Sequence, residues 1–300
     1  MRAQDNGAIT TSTGNNQLAN RNTFVGIAGG FGTFVIGNHD TPYKIVARGA
    51  GAVSSADTVA DLRLNVDRRL QGAIAYIAPA EALGGVTVAV AVVPVKGEKA
   101  ADSAGKVKNN DGFHYSLGVL APIGDVGLTV GAGYESAFVP LLDDTIDSFF
   151  LGVNFKQDIF SVGLAFENTA VGDKISKYAG IKDIGYNTFL LPVSVSLGDG
   201  LFVNVAYKLT QFEKPDLLDS AALLSNGSYV IDAFTATSLQ NGIQVDLDES
   251  VNQFSLSVGK NWGKDLTAYA GVKNTSAGEK IYGGKKSAAD FGVGLRVSFN

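Results

Sequence analysis

The main structural signal of this chain lies in two runs, Arg21 to Ala28 (RNTFVGIA) and Gly32 to Gly37 (GTFVIG). In both runs the apolar residues fall on every second position, which is the period of a β-strand. Gly29-Gly30-Phe31-Gly32 joins the two runs as a turn. The alternation stops in the next segment, Asn38 to Asp67 (NHDTPYKIVARGAGAVSSADTVADLRLNVD). An irregular segment of this length in a compact chain is usually functional or disordered.

The composition of the remaining chain is that of an all-β protein. The 300 residues include 37 Gly, 17 Phe and 10 Tyr, but one Met and one Trp. The longest apolar run, Val86 to Val95 (VTVAVAVVPV), has the length of a strand and contains Pro94. A membrane-spanning helix needs roughly 18 apolar residues or more. The sequence therefore excludes a helical membrane protein.

Charge and cysteine content exclude several further classes. The net charge of -5 gives no basic surface for nucleic acid. The absence of Cys excludes a disulfide framework, and two isolated His residues predict no metal site and no cofactor. The start Met1 to Gly7 (MRAQDNG) lacks the apolar core of a signal peptide. Either the protein is not exported or its true beginning is missing.

From Arg69 onward, runs of about ten alternating residues recur, as expected for strands that cross a bilayer at a tilt. Together with the hairpin they predict thirteen strands. The eleven later ones are Arg69 to Ala78, Val86 to Val95, Phe113 to Ala121, Val126 to Ala137, Ser148 to Lys156, Ile159 to Asn168, Thr188 to Leu197, Leu201 to Thr210, Val251 to Lys260, Leu266 to Lys273 and Asp290 to Phe299.

The breaks between these strands alternate between short and long. Short turns such as Pro122 to Asp125 and Gly198 to Gly200 take turns with long segments such as Phe138 to Asp147 and Gln211 to Ser250. Outer-membrane barrels have short periplasmic turns and longer extracellular loops, whereas a soluble sandwich has no reason for this order. The order places the start of Asn38 to Asp67 on the extracellular side.

The alternation also divides each strand into two faces. In the last strand Phe291, Val293 and Leu295 share an apolar face, and Gly292 and Gly294 share the other. A soluble sheet would turn its apolar face onto a core, and a membrane barrel would turn it to lipid. Periodicity alone does not distinguish the two. The order of the breaks favours the barrel.

Four motifs follow one another in this part of the chain: Arg21-x-x-Phe24-x-Gly26, the Gly-Gly-Phe-Gly turn, Ile36-Gly37-Asn38 and His39-Asp-Thr-Pro-Tyr-Lys44. Together they resemble the general porins of Gram-negative outer membranes, especially the betaproteobacterial type. The resemblance implies a transmembrane antiparallel β-barrel of the sixteen-stranded type, a homotrimer, and contact with outer-membrane lipid and lipopolysaccharide.

The resemblance also implies an organisation of the chain. Residues 38–67 become a constriction loop inside the pore, 21–299 the barrel, and 1–20 the remnant of an extracellular loop, because the signal peptide and first three strands are expected to be missing. Phe299 resembles the insertion signal of such barrels, although Asn300 departs from the usual ending.

The family sets basic wall residues against acidic residues of the loop, which gives four candidate constriction residues. Arg21 and Arg69 match wall arginines, and Asp57 and Asp61 are the acidic candidates, although the family's Pro-Glu-Phe-Gly-Gly motif is absent. Strand parity favours Arg69 over Arg68, because Leu70 then faces lipid. Further lumen-lining residues predicted by parity are Glu135, Lys156, Glu167, Lys208, Lys273 and Arg296.

These features predict an outer-membrane porin, which is a passive, water-filled channel for ions and small hydrophilic solutes with weak anion preference. No catalytic group is expected. One alternative is a substrate-specific outer-membrane channel, which would need an aromatic track along the lumen. The other is a secreted or surface β-rich protein that binds or adheres through the Gln211 to Ser250 segment.

Overall fold

The structure is a computed structural model. It describes residues 23–52, 62, 64, 69–96, 111–140, 142–178, 181–182, 185–212, 216–217, 250–263, 266–276 and 287–297. Arg21, Asp57 and Asp61, which the sequence marks as constriction residues, lie outside the described residues, as do Phe299 and Asn300.

Thirteen strands form one sheet, in the order in which they occur in the chain. Two further strands of two residues each pair with one another. The strands are β1 (Phe24–Gly29), β2 (Gly32–Asp40), β3 (Arg69–Ile77), β4 (Thr87–Val95), β5 (Gly112–Ile123), β6 (Leu128–Val139), β7 (Asp144–Gln157), β8 (Phe160–Val171), β9 (Ile181–Lys182), β10 (Gly185–Gly198), β11 (Leu201–Phe212), β12 (Asp216–Leu217), β13 (Ser250–Trp262), β14 (Leu266–Ser276) and β15 (Ser287–Val297).

Every strand of the large sheet is antiparallel to its neighbours. The prediction of thirteen antiparallel strands is confirmed. Within the described part of the chain, β1 and β15 stand at the two ends of the order and pair on one side only. None of the helices found there is long and apolar enough to span a membrane.

In the part of the chain that the structure describes, three short helices lie between the strands. They are α1 (Pro42–Gly49), α2 (Asp173–Tyr178) and a 3₁₀ helix, Ala80–Leu83. The sequence predicted none of them, and it began the irregular segment at Asn38, whereas β2 continues to Asp40. The helix α1 therefore follows directly from the hairpin.

The two faces of the sheet differ as the alternation predicted. The face called outer here carries large exposed apolar side chains on successive strands, among them Phe34 and Ile36 of β2, Leu151 of β7 and Leu256 of β13. The opposite face, called inner, holds small and polar residues and carries α1. Apolar side chains on the exposed face of a sheet are the pattern of a lipid-facing barrel wall.

The break between β6 and β7 is shorter than predicted. The sequence pattern indicated a long segment from Phe138 to Asp147, but β6 extends to Val139 and β7 begins at Asp144. Phe138 pairs with Thr145, and Ser136 pairs with Asp147, so the hairpin continues past the point where the apolar alternation fades. Backbone pairing does not require apolar side chains, which is why the pattern missed these rungs.

Leu70 does not face lipid, contrary to the prediction. It is 5% exposed and packs on the inner face with Val35, Ala73, Ala75 and Ala91. The pairing of β2 with β3 shifts register between Gly37 and His39, and Gly72 opposite this shift has a φ of 67°. A bulge of this kind reverses the side-chain parity on its far side. The parity argument that preferred Arg69 to Arg68 therefore fails.

Candidate functional site

The backbone N–H groups in the first turn of α1 have hydrogen-bond partners. Thr41 caps it, since its side chain accepts a hydrogen bond from the backbone N–H of Lys44, and Pro42 occupies the first position, where no N–H is needed. The N–H of Tyr43 donates to Ser116 Oγ of β5 over 3.0 Å. Helix N-terminal N–H groups have no partner within the helix, so this bond ties α1 to the wall.

A patch of glycines on the inner face receives α1, and we call it the glycine seat: Gly118, Gly131, Gly133 and Gly152. A Cβ on Gly118 would lie 2.6 Å from the Pro42 carbonyl oxygen, and a Cβ on Gly131 would lie 2.7 Å from Ala50 Cβ. These glycines are neighbours in the sheet, because Gly133 pairs with Gly118 and Gly131 pairs with Gly152. Only residues without a side chain allow the helix to lie this close.

Tyr43 is the most deeply anchored side chain of α1. It is fully buried, its ring packs on Phe150 of β7 with 4.8 Å between centroids, and its hydroxyl donates to Glu167 Oε2 of β8 over 2.8 Å. Burial raises the pKa of the Tyr43 hydroxyl well above its usual range, and the charge of Glu167 adds to the rise. The hydroxyl therefore stays protonated and able to donate at any physiological pH.

The charged residues of α1 gather around Asp40 at the end of β2. The nitrogen Nζ of Lys44 lies 3.2 Å from Asp40 Oδ1, and the Arg48 guanidinium donates to Asp40 Oδ2 over 3.3 Å. Lys44 is buried, whereas the Arg48 side chain is 40% exposed. Ile45 is exposed as well, so Ile45 and Arg48 form the surface of α1 that faces away from the seat.

The packing of the segment continues beyond α1 along the inner face. Leu62 and Leu64 are buried in one apolar cluster with Tyr43, Val46, Ala47, Ala50, Ala52, Phe150, Ala165, Leu190 and Ala206. The members of this cluster that belong to the wall are Phe150, Ala165, Leu190 and Ala206, which lie on β7, β8, β10 and β11, consecutive strands of the large sheet. Residues 42–52, Leu62 and Leu64 therefore pack together on the inner face.

Three of the predicted lumen residues are buried in the structure. Glu135 and Glu167 lie on the inner face but are fully buried, so neither carboxylate lines an open passage in this conformation. Glu135 lies 3.4 Å from His114 Nε2. Lys208 is nearly buried between its pairing partners Leu190 and Gln253.

The other predicted basic residues lie in more open surroundings. Lys156 is exposed near the turn that follows β7. Lys273 is 24% exposed and lies 3.5 Å from Asp290 of β15. Arg69 and Arg296 belong to β3 and β15, and their side chains lie outside the described residues. Their roles stay predictions.

Sequence reasoning missed Tyr43, Lys44 and Arg48. The segment that holds them lacks strand alternation, which favours a loop, although Thr41-Pro42 is a helix start signal. The glycine seat is visible in the sequence as well, because four glycines, Gly118, Gly131, Gly133 and Gly152, occupy the polar face of the predicted strands. That pattern indicates close approach of another backbone.

The fold is similar to that of several solved outer-membrane proteins. The anion-selective porin from Comamonas acidovorans matches with a TM-score of 0.60 and 16% identity, over 94% of this chain and 79% of that one. The trimer form of OmpT, an outer membrane protein of Vibrio cholerae, matches with a TM-score of 0.59 and 13% identity, over 95% and 82%. The outer membrane channel DcaP of Acinetobacter baumannii gives 0.52 and 12%, over 87% and 70%. Comparison with curated proteins gave no match.

An antiparallel sheet with an exposed apolar outer face and a chain segment packed on its inner face is the arrangement expected of an outer-membrane channel protein. The family is given by sequence as well. Residues 1–280 match the model of the Gram-negative porin family, and the chain belongs to that family. It is accordingly a channel for small solutes in the bacterial outer membrane.

Proposed function

We propose that the chain forms a passive, water-filled channel for ions and small hydrophilic solutes, in which residues 38–67 narrow the pore and favour anions weakly. The observation that carries the proposal is the seating of α1 on the inner face, with its free surface turned away from the wall. A segment in that place reduces the cross-section without closing it, and a diffusion channel needs only such a narrow wet passage.

The distribution of charge around α1 supports the preference for anions. Arg48 on the exposed surface of α1 and Lys156 on the wall retain contact with water, whereas Lys273 is paired with the exposed Asp290. Glu135 and Glu167 are buried beneath the segment. A field in a narrow passage with low-dielectric walls is screened less than at an open surface, so the exposed charges dominate selectivity. The Comamonas porin to which the chain is similar is described as anion-selective, which supports the same preference here.

The proposal extends to the assembly and its surroundings. The OmpT structure named above is described as a trimer, and we infer a homotrimer for this chain as well. The outer apolar face would contact outer-membrane lipid, and the longer segments on the extracellular side would contact lipopolysaccharide. The same proposal keeps Arg21 and Arg69 as wall residues facing Asp57 and Asp61, for Arg69 on the family resemblance and not on strand parity, and it assigns no cofactor and no catalysis.

Charge substitutions at the proposed constriction test this function. Arg48→Ala should shift selectivity toward cations, and Asp61→Asn should shift it toward anions, because each removes one charge from the narrow passage. The measurement is the reversal potential in a planar bilayer under a salt gradient. The shifts should be larger at low salt, since the Debye length grows from about 10 Å at 0.1 M to about 30 Å at 0.01 M.

Lys174→Ala is the matched control for these variants. Lys174 is an exposed base of α2 that pairs with Asp143, between β6 and β7, over 3.0 Å. Its removal takes away the same charge and should leave the reversal potential unchanged. Equal shifts for Lys174→Ala and Arg48→Ala would show that overall charge, and not the segment on the inner face, sets selectivity.

A further inference from the structure

The bond between Tyr43 and Glu167 spans the whole width of the seat. Tyr43 begins on α1, which lies over β5, β6 and β7, and its hydroxyl reaches a carboxylate on β8. The contact is sequence-distant, since the two residues are separated by 124 positions. The Tyr43 ring covers Gly133 on the way, where a Cβ would lie 3.2 Å from its Cδ2 atom. One side chain therefore fixes both the height and the rotation of the helix.

The other contacts of α1 constrain it less. Val46, Ala47 and Ala50 pack on the seat through apolar surface alone, which is not directional. The ion pairs of Lys44 and Arg48 with Asp40 join α1 to the end of β2, from which it emerges, and so do not fasten it to the facing wall. Two hydrogen bonds join α1 directly to the wall: the Tyr43 N–H donates to Ser116 Oγ, and the Tyr43 hydroxyl donates to Glu167 Oε2.

We propose that Tyr43 is the positioning residue of the constriction and that its hydroxyl bond to Glu167 acts as a latch that holds α1 on the glycine seat. The inference rests on the proposed function, in which the segment carrying α1 narrows the pore. It assigns Glu167 a role other than lining the lumen: the carboxylate holds the helix. Tyr43 does not touch the solute, and it acts by fixing the place of Ile45 and Arg48 in the passage.

The test compares two variants that remove the hydrogen bond between Tyr43 and Glu167 with one variant that keeps it. Tyr43→Phe removes the donor and Glu167→Leu removes the acceptor, whereas Glu167→Gln removes the charge but keeps an oxygen that accepts the bond. Tyr76→Phe is the matched control, because it removes a hydroxyl that donates to the Phe31 carbonyl oxygen, away from α1.

Cysteine labelling reports whether α1 leaves its seat. The natural sequence has no Cys, so a single Ala47→Cys, buried between α1 and the wall, gives a clean signal. A water-soluble maleimide applied to isolated outer membranes labels it only when the helix lifts. Tyr43→Phe and Glu167→Leu should speed this labelling roughly tenfold, which corresponds to about 1.4 kcal/mol, while Glu167→Gln and Tyr76→Phe stay near the rate of the parent.

A second reporter separates lifting of the helix from general loosening. Ala75→Cys lies buried in the other inner cluster, with Val35, Leu70 and Ala91, away from α1. Its labelling should not change in any variant. Unchanged labelling at position 47 in Tyr43→Phe, or an equal rise at positions 47 and 75, would overturn the latch.

Electrical recordings distinguish failure of the latch from failure of the proposed function. If α1 constricts the channel, the latch-open variants should also show larger open-channel current noise in planar bilayers. Faster labelling at position 47 with unchanged noise and conductance would support the latch while contradicting the constriction. Glu167→Gln should keep the noise of the parent even if its lost charge shifts the reversal potential.

Discussion

Leu256→Arg should destabilise the membrane-inserted protein by about 2–4 kcal/mol, the cost of an arginine on the lipid face near the bilayer midplane. Leu256 lies in the middle of β13 and is 41% exposed on the outer face. Its neighbours across the sheet are Val205 and Val272, which continue the apolar surface on both sides. A guanidinium placed there has neither water nor a counter-charge within reach, which is the reason for the large cost.

Gln253→Arg provides the matched control on the same strand. Gln253 lies on the inner face, where it donates to Thr275 Oγ1 over 3.2 Å. Arginine at this position lies on the polar side of the sheet but directly opposite Lys208, so the free energy of unfolding should fall by about 1 kcal/mol, which is less than for Leu256→Arg. Equilibrium denaturant unfolding in phospholipid vesicles measures both. Similar losses for the two variants would mean that the outer and inner faces have been exchanged.

The sheet was predictable because its signal is local. Each strand carries its own alternation, so Phe149 and Leu151 indicate a face of β7 without knowledge of any neighbour. The order of short and long breaks then fixes the antiparallel arrangement. The exceptions occur where pairing continues without apolar residues, as at Ser136 with Asp147, or where a bulge shifts parity, as at Gly72.

The inner face was less predictable because its structure depends on contacts between distant parts of the chain. Parity assigned Glu135 and Glu167 to the inner side, but it cannot tell that a helix would cover them. The helix itself is short, and its stability comes from the wall: Ser116 satisfies its first turn, and Phe150 and the glycine seat receive its apolar side. Isolated helices of this length are marginal in water. The positions of the charged residues on α1 could therefore be found only from the structure.

The final expectation concerns the glycine seat, where Gly118→Ala should cost about 1–3 kcal/mol of stability by overpacking and reduce the single-channel conductance. The added Cβ would lie 2.6 Å from both the Pro42 carbonyl oxygen and Val46 Cγ2, so something must move. Gly118 belongs to β5, which is paired on both sides, with Ala89 of β4 and Gly133 of β6.

The strand is held by two ladders of hydrogen bonds, and the helix is held by fewer directional contacts, so α1 should move. Displacement away from the wall brings Ile45 and Arg48 farther into the passage, which is why the conductance should fall. Gly152→Ala should have a smaller effect in the same direction, because its Cβ would lie 3.1 Å from Ala50 Cβ.

Gly30→Ala supplies the control, since a Cβ there meets nothing within 4 Å. Both the stability and the conductance should remain at the parent values in this variant. The measurements are denaturant unfolding and single-channel recording on the same preparations. A loss of stability in Gly118→Ala without any change in conductance would mean that the strand yields instead of the helix, or that α1 lies away from the narrowest part of the pore.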